Sequence, residues 1–334
     1  MSEKSLTPFE AFLDGHDDAA WEKAVAELLP SIHEVDRAAT QIWFRFFPVR
    51  LLRAFEQSAD PEVLARDLLM QGKWFLRDQI DTSHTFLYGH RYWPEAKRAI
   101  IEAAQGEAKG RLSEVAREVA GRVAAASKAE ASIAIGIVMI GLMTLQQVGL
   151  EAFRATPGEV HIDKKHLRRS PEEVLRERAR DDDQGLFGFL RTSDRRWTVV
   201  WDENREDRRF KVINRQELAS GAATDKRPWH EVDTRCTVDE GPIPVQCRSA
   251  SCGTCWVGVL GGAEKLTEVA SRERRMMPQF GYIETSEPRP LIRLSCQAQA
   301  MGAVSIVIPP WNGYFGKYLK KQEEEKAGAG VAAG

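Results

Sequence analysis

The sequence predicts an α + (α+β) chain, an all-helical N-terminal domain followed by a smaller domain of mixed strands and helices. Three observations carry this. Apolar residues recur at helical spacing through roughly the first 150 residues. From Arg195 the pattern changes to short β-type runs bounded by turn residues. All five cysteines then fall between Cys236 and Cys296. The 334 residues suit two domains, and 43% hydrophobic with 29% charged residues can fill their cores. That balance excludes a wholly disordered chain and a small disulfide scaffold.

The helical elements follow in order. Asp18 is placed to cap a segment with Trp21, Val25, Leu28 and Leu29 on one stripe, stopped by Pro30. Ser31 and Glu34 form a capping-box pattern ahead of Val35, Ala39, Ile42 and Phe46. Asp60-Pro61-Glu62 and Pro94-Glu95 open two more helices, with proline in the first turn. A long helical stretch starts near Lys109, with Leu112, Val115, Val119 and Val123 on one face, and runs into the apolar segment Ala131–Leu145. Ala131–Leu150 has no charge and is long enough to span a bilayer. Its basic flanks are balanced, so no orientation is favoured, and the central helix of a bundle is the preferred reading over membrane contact.

Residues 1–160 therefore form the helical domain. Residues 161–194, dominated by DKKHLRRSPEEVLRERARDDD, read as a charged helical linker restarting at Ser170-Pro171-Glu172-Glu173. In residues 195–310, RRWTVVWD and RRFKVIN read as a hairpin, TCWVGVL and VSIVIPP as further strands, and SRERRMMPQF as a short helix. Residues 311–334 are a tail, disordered at its QEEEKAGAGVAAG end.

The chemistry concentrates in Cys247-Arg-Ser-Ala-Ser-Cys252-Gly-Thr-Cys255 and the separate Cys296. The spacing C-x4-C-x2-C…C is that of a plant-type 2Fe–2S cluster. Three ligands on one tight loop wrap a compact inorganic core and a distant fourth closes it. Ser249, Ala250 and Ser251 are small enough for backbone N–H groups to point at sulfur, and Gly253 permits a positive φ or a close approach. Arg248 and Thr254 complete the loop. Four thiolates, two sulfides and two ferric ions sum to about −2, and one electron takes this to about −3, so backbone dipoles, burial and Arg248 must moderate the charge. A Cys252–Cys255 redox dithiol, a zinc site and free thiols compete with this reading. Zinc is disfavoured because Cys296 has no near partner in sequence. Cys236 lies outside the pattern and reads as structural.

With CRSASCGTC at 247–255, RLSCQ at 293–297 and GAVSIVIP at 302–309, residues 195–310 resemble the plant-type 2Fe–2S ferredoxin domain, a β-grasp fold. The resemblance implies that Cys247 and Cys252 hold one iron and Cys255 and Cys296 the other, and that the domain shuttles single electrons without bond chemistry of its own. Two departures stand out. Residues 215–246, rich in Pro, Asp and Gly, fill the place of a short helix, and the interval from Cys255 to Cys296 is long. The helical half resembles no family we recognise.

No dinucleotide-binding glycine motif, P-loop or flavin motif is present, so the chain is expected to be no enzyme by itself but an electron-transfer component of an oxidoreductase. Its partners are then a redox donor and acceptor. The net charge of −2 does not point to nucleic acid. Residues 195–310 hold 17 Lys+Arg and 15 Asp+Glu, a balance of +2 that disfavours the acidic docking common among soluble ferredoxins. A dedicated partner, or docking through the helical half, fits better; the tryptophans there, Trp21, Trp43, Trp74 and Trp93, read first as bundle core and second as a partner or membrane surface. Two alternatives remain open: a redox-sensing regulatory module, and an enzyme subunit with a second cofactor around His33, Asp81, His84 and His90. The chain does not open on a basic-then-apolar leader, and its cysteines do not form a secreted framework; both predict a cytoplasmic setting, with membrane association as the alternative.

Overall fold

A computed structural model describes residues 6–181, 195–281 and 286–332. The chain packs as two units that are not simply its two halves. The first comprises residues 1–52 and 75–175, the second residues 53–74 and 176–334.

The first unit is helical. The N-terminal signals mark the right places, with the cap itself shifted. Asp17, not Asp18, caps the helix Asp18–Leu28 by accepting from the Ala20 N–H. His33, not Ser31, caps Glu34–Phe46, its Nδ1 accepting from the Val35 N–H at 3.2 Å. The stretch after Lys109 is two helices, Leu112–Ser127 and Ala131–Val148, because Lys128 sits in the left-handed region at φ 58° and ends the first. Ala131–Val148 is long and apolar enough to cross a membrane, but 72% of it is buried inside its unit. It is a core helix here: Gly136 and Gly141 let Thr40 and Ile100 approach so closely that a Cβ would collide with them. The helix Trp93–Ala103 has proline in its first turn, as expected. Buried Asp36 fixes the chain crossing above it, accepting from the N–H groups of Tyr88 at 2.6 Å and Gly89 at 2.7 Å.

The first part of the charged linker belongs to this unit. Ser170 and Glu173 form a reciprocal capping box ahead of Pro171–Ala179. Arg91 stacks on Tyr88 at 3.4 Å and donates to the carbonyl oxygens of Leu167 and Arg169. Residues 182–194 of the expected linker lie outside the described residues.

The second unit is a mixed sheet with short helices. Its strands are β1 (Gln71–Gly72), β2 (Arg196–Val200), β3 (Arg209–Ile213), β4 (Trp256–Gly261), β5 (Ile292–Leu294), β6 (Val304–Val307) and β7 (Trp311–Asn312). Five form one sheet in the order β3-β2-β6-β4-β5, antiparallel throughout except for the parallel pair β2/β6. The expected hairpin is β2/β3, with Trp197 opposite Val212 and Val199 opposite Phe210 on its buried face. The helix Ser271–Phe280 forms where SRERRMMPQF predicts it.

Residues 53–74 and 311–334 depart from the expected domains. β1 pairs with β7, Lys73 N–H donates to Pro310 O at 2.9 Å, and Tyr314 N–H donates to Leu68 O at 2.6 Å. These backbone bonds stitch a segment of the helical half to the end of the sheet domain. The expected tail is accordingly part of the core at its start. Trp311 packs edge-on against Trp256 at 5.3 Å, Phe315 is buried, and a helix runs from Gly316 to Ala332 where disorder was expected. Sequence separation hides such pairing, since a two-residue strand carries no periodicity.

Candidate functional site

The β4/β5 pairing builds the site. Trp256 stands opposite Leu294, and Ser295 N–H donates to Cys255 O at 2.9 Å. This register carries Cys296 to Cys255 despite the long interval between them. β5 is itself fixed by a buried ion pair: the Arg293 guanidinium meets the Glu273 carboxylate in a fork at 2.9 and 3.0 Å. Glu273 also accepts from the Leu294 N–H at 2.8 Å, and Arg293 donates to Thr267 O. The long interval is thus occupied by a helix that clamps the strand leading to the fourth cysteine.

The loop 247–255 turns through three left-handed residues, Arg248 (φ 53°), Ala250 (φ 57°) and Gly253 (φ 68°). The first two are not glycines, so the surrounding bonds must hold them there. They do so by aiming the peptide groups at sulfur. Ser249 and Ser251 N–H donate to Cys247 Sγ at 3.4 and 3.2 Å. Cys252 Sγ meets Thr254 Oγ1 at 3.2 Å, and Gln297 Nε2 lies 3.6 Å from Cys296 Sγ. Gly253 is required twice, by its φ and because a Cβ would come within 2.7 Å of the Phe280 ring. Arg248 lies across the outside of the loop, bonded to Glu240 and to Ser220 Oγ.

The four thiols form two pairs, Cys247 with Cys252 and Cys255 with Cys296. The first is half-buried and the second buried. Burial pushes the Cys247 thiol up, but the Ser249 N–H, the Cys252 side chain and the Ser251 N–H outweigh it and bring it down to about 7. In the inner pair, the hydrogen bond from Cys255 lowers Cys296, aided by Gln297 and the Ala250 N–H, so one thiolate forms readily between the two. The loop therefore favours negative charge on sulfur before any metal is added. Among the described residues, no three His, Cys, Asp or Glu side chains converge on a single metal-ion position. Two pairs suit a binuclear centre, with two thiolates per iron, better than a mononuclear zinc site. A cavity of about 560 Å³ opens beside Cys296, lined by Glu217, Arg248 and Gln299 among others.

Cys236 is apart from the four. Its thiol is buried, reaches Pro242 O at 3.3 Å, and is pushed up to about 12 by burial and then by Asp233. It is an inert packing residue.

The histidine set does not assemble. His84 and His90 meet Nδ1 to Nδ1 at 3.0 Å, fully buried, and His84 packs on Trp93 at 4.1 Å. His33 instead caps its helix and faces Glu172 at 3.8 Å. Asp81 is fully engaged, accepting from Trp93 Nε1, Lys97 Nζ, Thr156 Oγ1 and the Gly158 N–H.

Sequence reasoning missed Glu273, Arg293 and the left-handed Arg248 and Ala250. An arginine three residues before the fourth cysteine and a glutamate among arginines were the available signals for the ion pair. Nothing local marks the φ values. The chain matches no protein-family model, no curated protein and no solved structure.

Proposed function

We propose that residues 195–310 form a β-grasp ferredoxin-type domain that holds a 2Fe–2S cluster and carries single electrons between redox proteins. The observation that carries this reading is the meeting of four thiols as two pairs, at a loop whose peptide N–H groups already point at sulfur. The strand order supports it: counted within the sheet it runs 2-1-5-3-4 with first and last strands parallel, the β-grasp arrangement.

Cys247 and Cys252 would hold the outer iron, and Cys255 and Cys296 the inner one. A bound cluster supplies a site that gains or loses one electron without breaking a covalent bond in the chain. The protein's part is to bind and to tune. Ser249 and Ser251 N–H groups stabilise negative charge at the outer pair, and the Ala250 N–H and Gln297 do so at the inner pair. Rigid clamping of β5 by Glu273 and Arg293 keeps the thiols from moving when the charge changes, which lowers the reorganisation that electron transfer requires. Nothing else is asked of the chain, consistent with its lack of nucleotide and flavin motifs.

The test is the optical and EPR spectrum of anaerobically purified protein before and after dithionite. We expect a red-brown protein with two irons per chain, a one-electron reduction and a potential on the order of −400 mV. A colourless, iron-free protein that cannot be reconstituted with iron and sulfide overturns the reading.

A further inference from the structure

The helix Ser271–Phe280 does more than clamp β5. Its sequence, SRERRMMPQF, holds three arginines and one glutamate, and that glutamate is the buried partner of Arg293. The surface charge the helix presents is therefore entirely positive. Arg272 and Arg275 are exposed, and among the described residues no carboxylate pairs with either. Arg272 reaches the metal loop itself, its Nη2 donating to Ser251 Oγ at 3.3 Å, and Phe280 at the other end of the helix lies against Gly253. Ser251 is exposed and flanks the half-buried pair Cys247 and Cys252, whereas Cys255 and Cys296 are buried. Arg272 thus borders the more exposed side of the site, and Arg275 follows it one turn along the same helix.

Other charges near the loop are mostly matched: Arg248 is paired with Glu240, and Glu268 faces Arg289 at 3.5 Å. Glu217, in the cavity beside Cys296, accepts from the neutral Gln299 amide and keeps its charge, and a bound cluster would add about −2, so the arginines form a positive rim beside a negative centre.

Resting on the ferredoxin reading above, we propose that the outer lip of the loop together with Arg272 and Arg275 is the docking surface for a redox protein that presents carboxylates around its own centre. This is the reverse of a carrier that offers an acidic face to a basic reductase. A net charge of −2 over the whole chain would not steer such a partner. The local arginines would, and they would do so over about one Debye length.

The experiment measures binding by fluorescence anisotropy of two labelled probes, an acidic flavodoxin and a basic cytochrome c, to the full chain. Flavodoxin is expected to bind the tighter of the two and to weaken about tenfold between about 20 mM and about 200 mM salt. R272E/R275E is expected to lose a further tenfold at low salt, about 1.4 kcal/mol. R275E alone, clear of the loop, is expected to lose about threefold, and it keeps the test sound if R272E disturbs the loop. Tighter binding of cytochrome c, or flavodoxin binding that neither salt nor the substitutions change, overturns the proposal. The spectrum of each preparation separates the two readings: a coloured protein that fails the binding test loses only this surface, and a colourless one loses the carrier.

Discussion

Two groups of possible metal-ligating side chains can be compared among the described residues, the histidines of the helical unit and the thiols of the sheet unit. In the helical unit His84 and His90 bond to each other and pack on Trp93. His84 Nε2 is within 3.2 Å of Ile80 O, while the buried His90 Nε2 has no hydrogen-bond partner among the described residues. In the sheet unit the Ser249 and Ser251 N–H groups donate to Cys247 Sγ, while Cys252 and Cys296 are met by the side chains of Thr254 and Gln297. The histidine nitrogens face each other and a carbonyl oxygen, whereas donors from outside the set, the Ser249 and Ser251 peptides and Gln297, point at the thiols. The number of ligand-type residues does not make this distinction; the direction of their hydrogen bonds does.

The largest effect should come from removing an inner ligand. Cys296→Ser is expected to abolish the cluster's visible absorption and reduced-state EPR signal, while H84Q in the helical unit leaves both unchanged. Loss of colour in H84Q would erase the contrast between the two clusters. Next is the clamp. Glu273→Gln leaves the Arg293 guanidinium buried against a neutral amide, and should destabilise the sheet unit by about 3–5 kcal/mol, read from urea melts. A loss below about 1 kcal/mol would mean that β5 is held by its strand pairing alone.

The histidine pair predicts an acid response of its own. Burial, and then the nearby His161, lowers His90 to about 4, while His84 is lowered by burial and by His90. An unfolded chain protonates such a residue near 6.5. Between 6.5 and about 4 the unfolded state binds more protons than the folded one, so stability falls as pH falls through that window. His90 alone should contribute about 3 kcal/mol to the loss, complete once the pH is below about 4. Near-UV circular dichroism of wild type and H90Q checks it: the substitution should flatten the pH dependence, and parallel curves would show that the pair is not buried and neutral. The smallest effect belongs to Cys236→Ser, which keeps a donor for Pro242 O. Its stability should stay within about 1 kcal/mol and its cluster spectrum should not change. A bleached spectrum would place Cys236 among the ligands.

The cysteine spacing made the candidate site readable, because ligand order along a loop is local information. Ser170 with Glu173, and Asp60 with Pro61, were equally readable, since a cap is a contact within three or four residues. The exact cap was less readable elsewhere, and Asp17 and His33 took the positions expected of Asp18 and Ser31. The apolar run 131–145 had two readings that composition does not separate, and the structure buries most of the helix against its neighbours.

The amino-acid sequence by itself determined which thiols are candidates, where the helices and main strands begin, and that the candidate site lies in the last third. Those are short-range matters of spacing, capping and periodicity. Only the tertiary structure decided that Cys296 meets Cys255, that Glu273 is buried on Arg293, and that residues 53–74 pair with the end of the chain. Each of these depends on the register of a distant backbone ladder, and that register is set by the packing of the whole sheet.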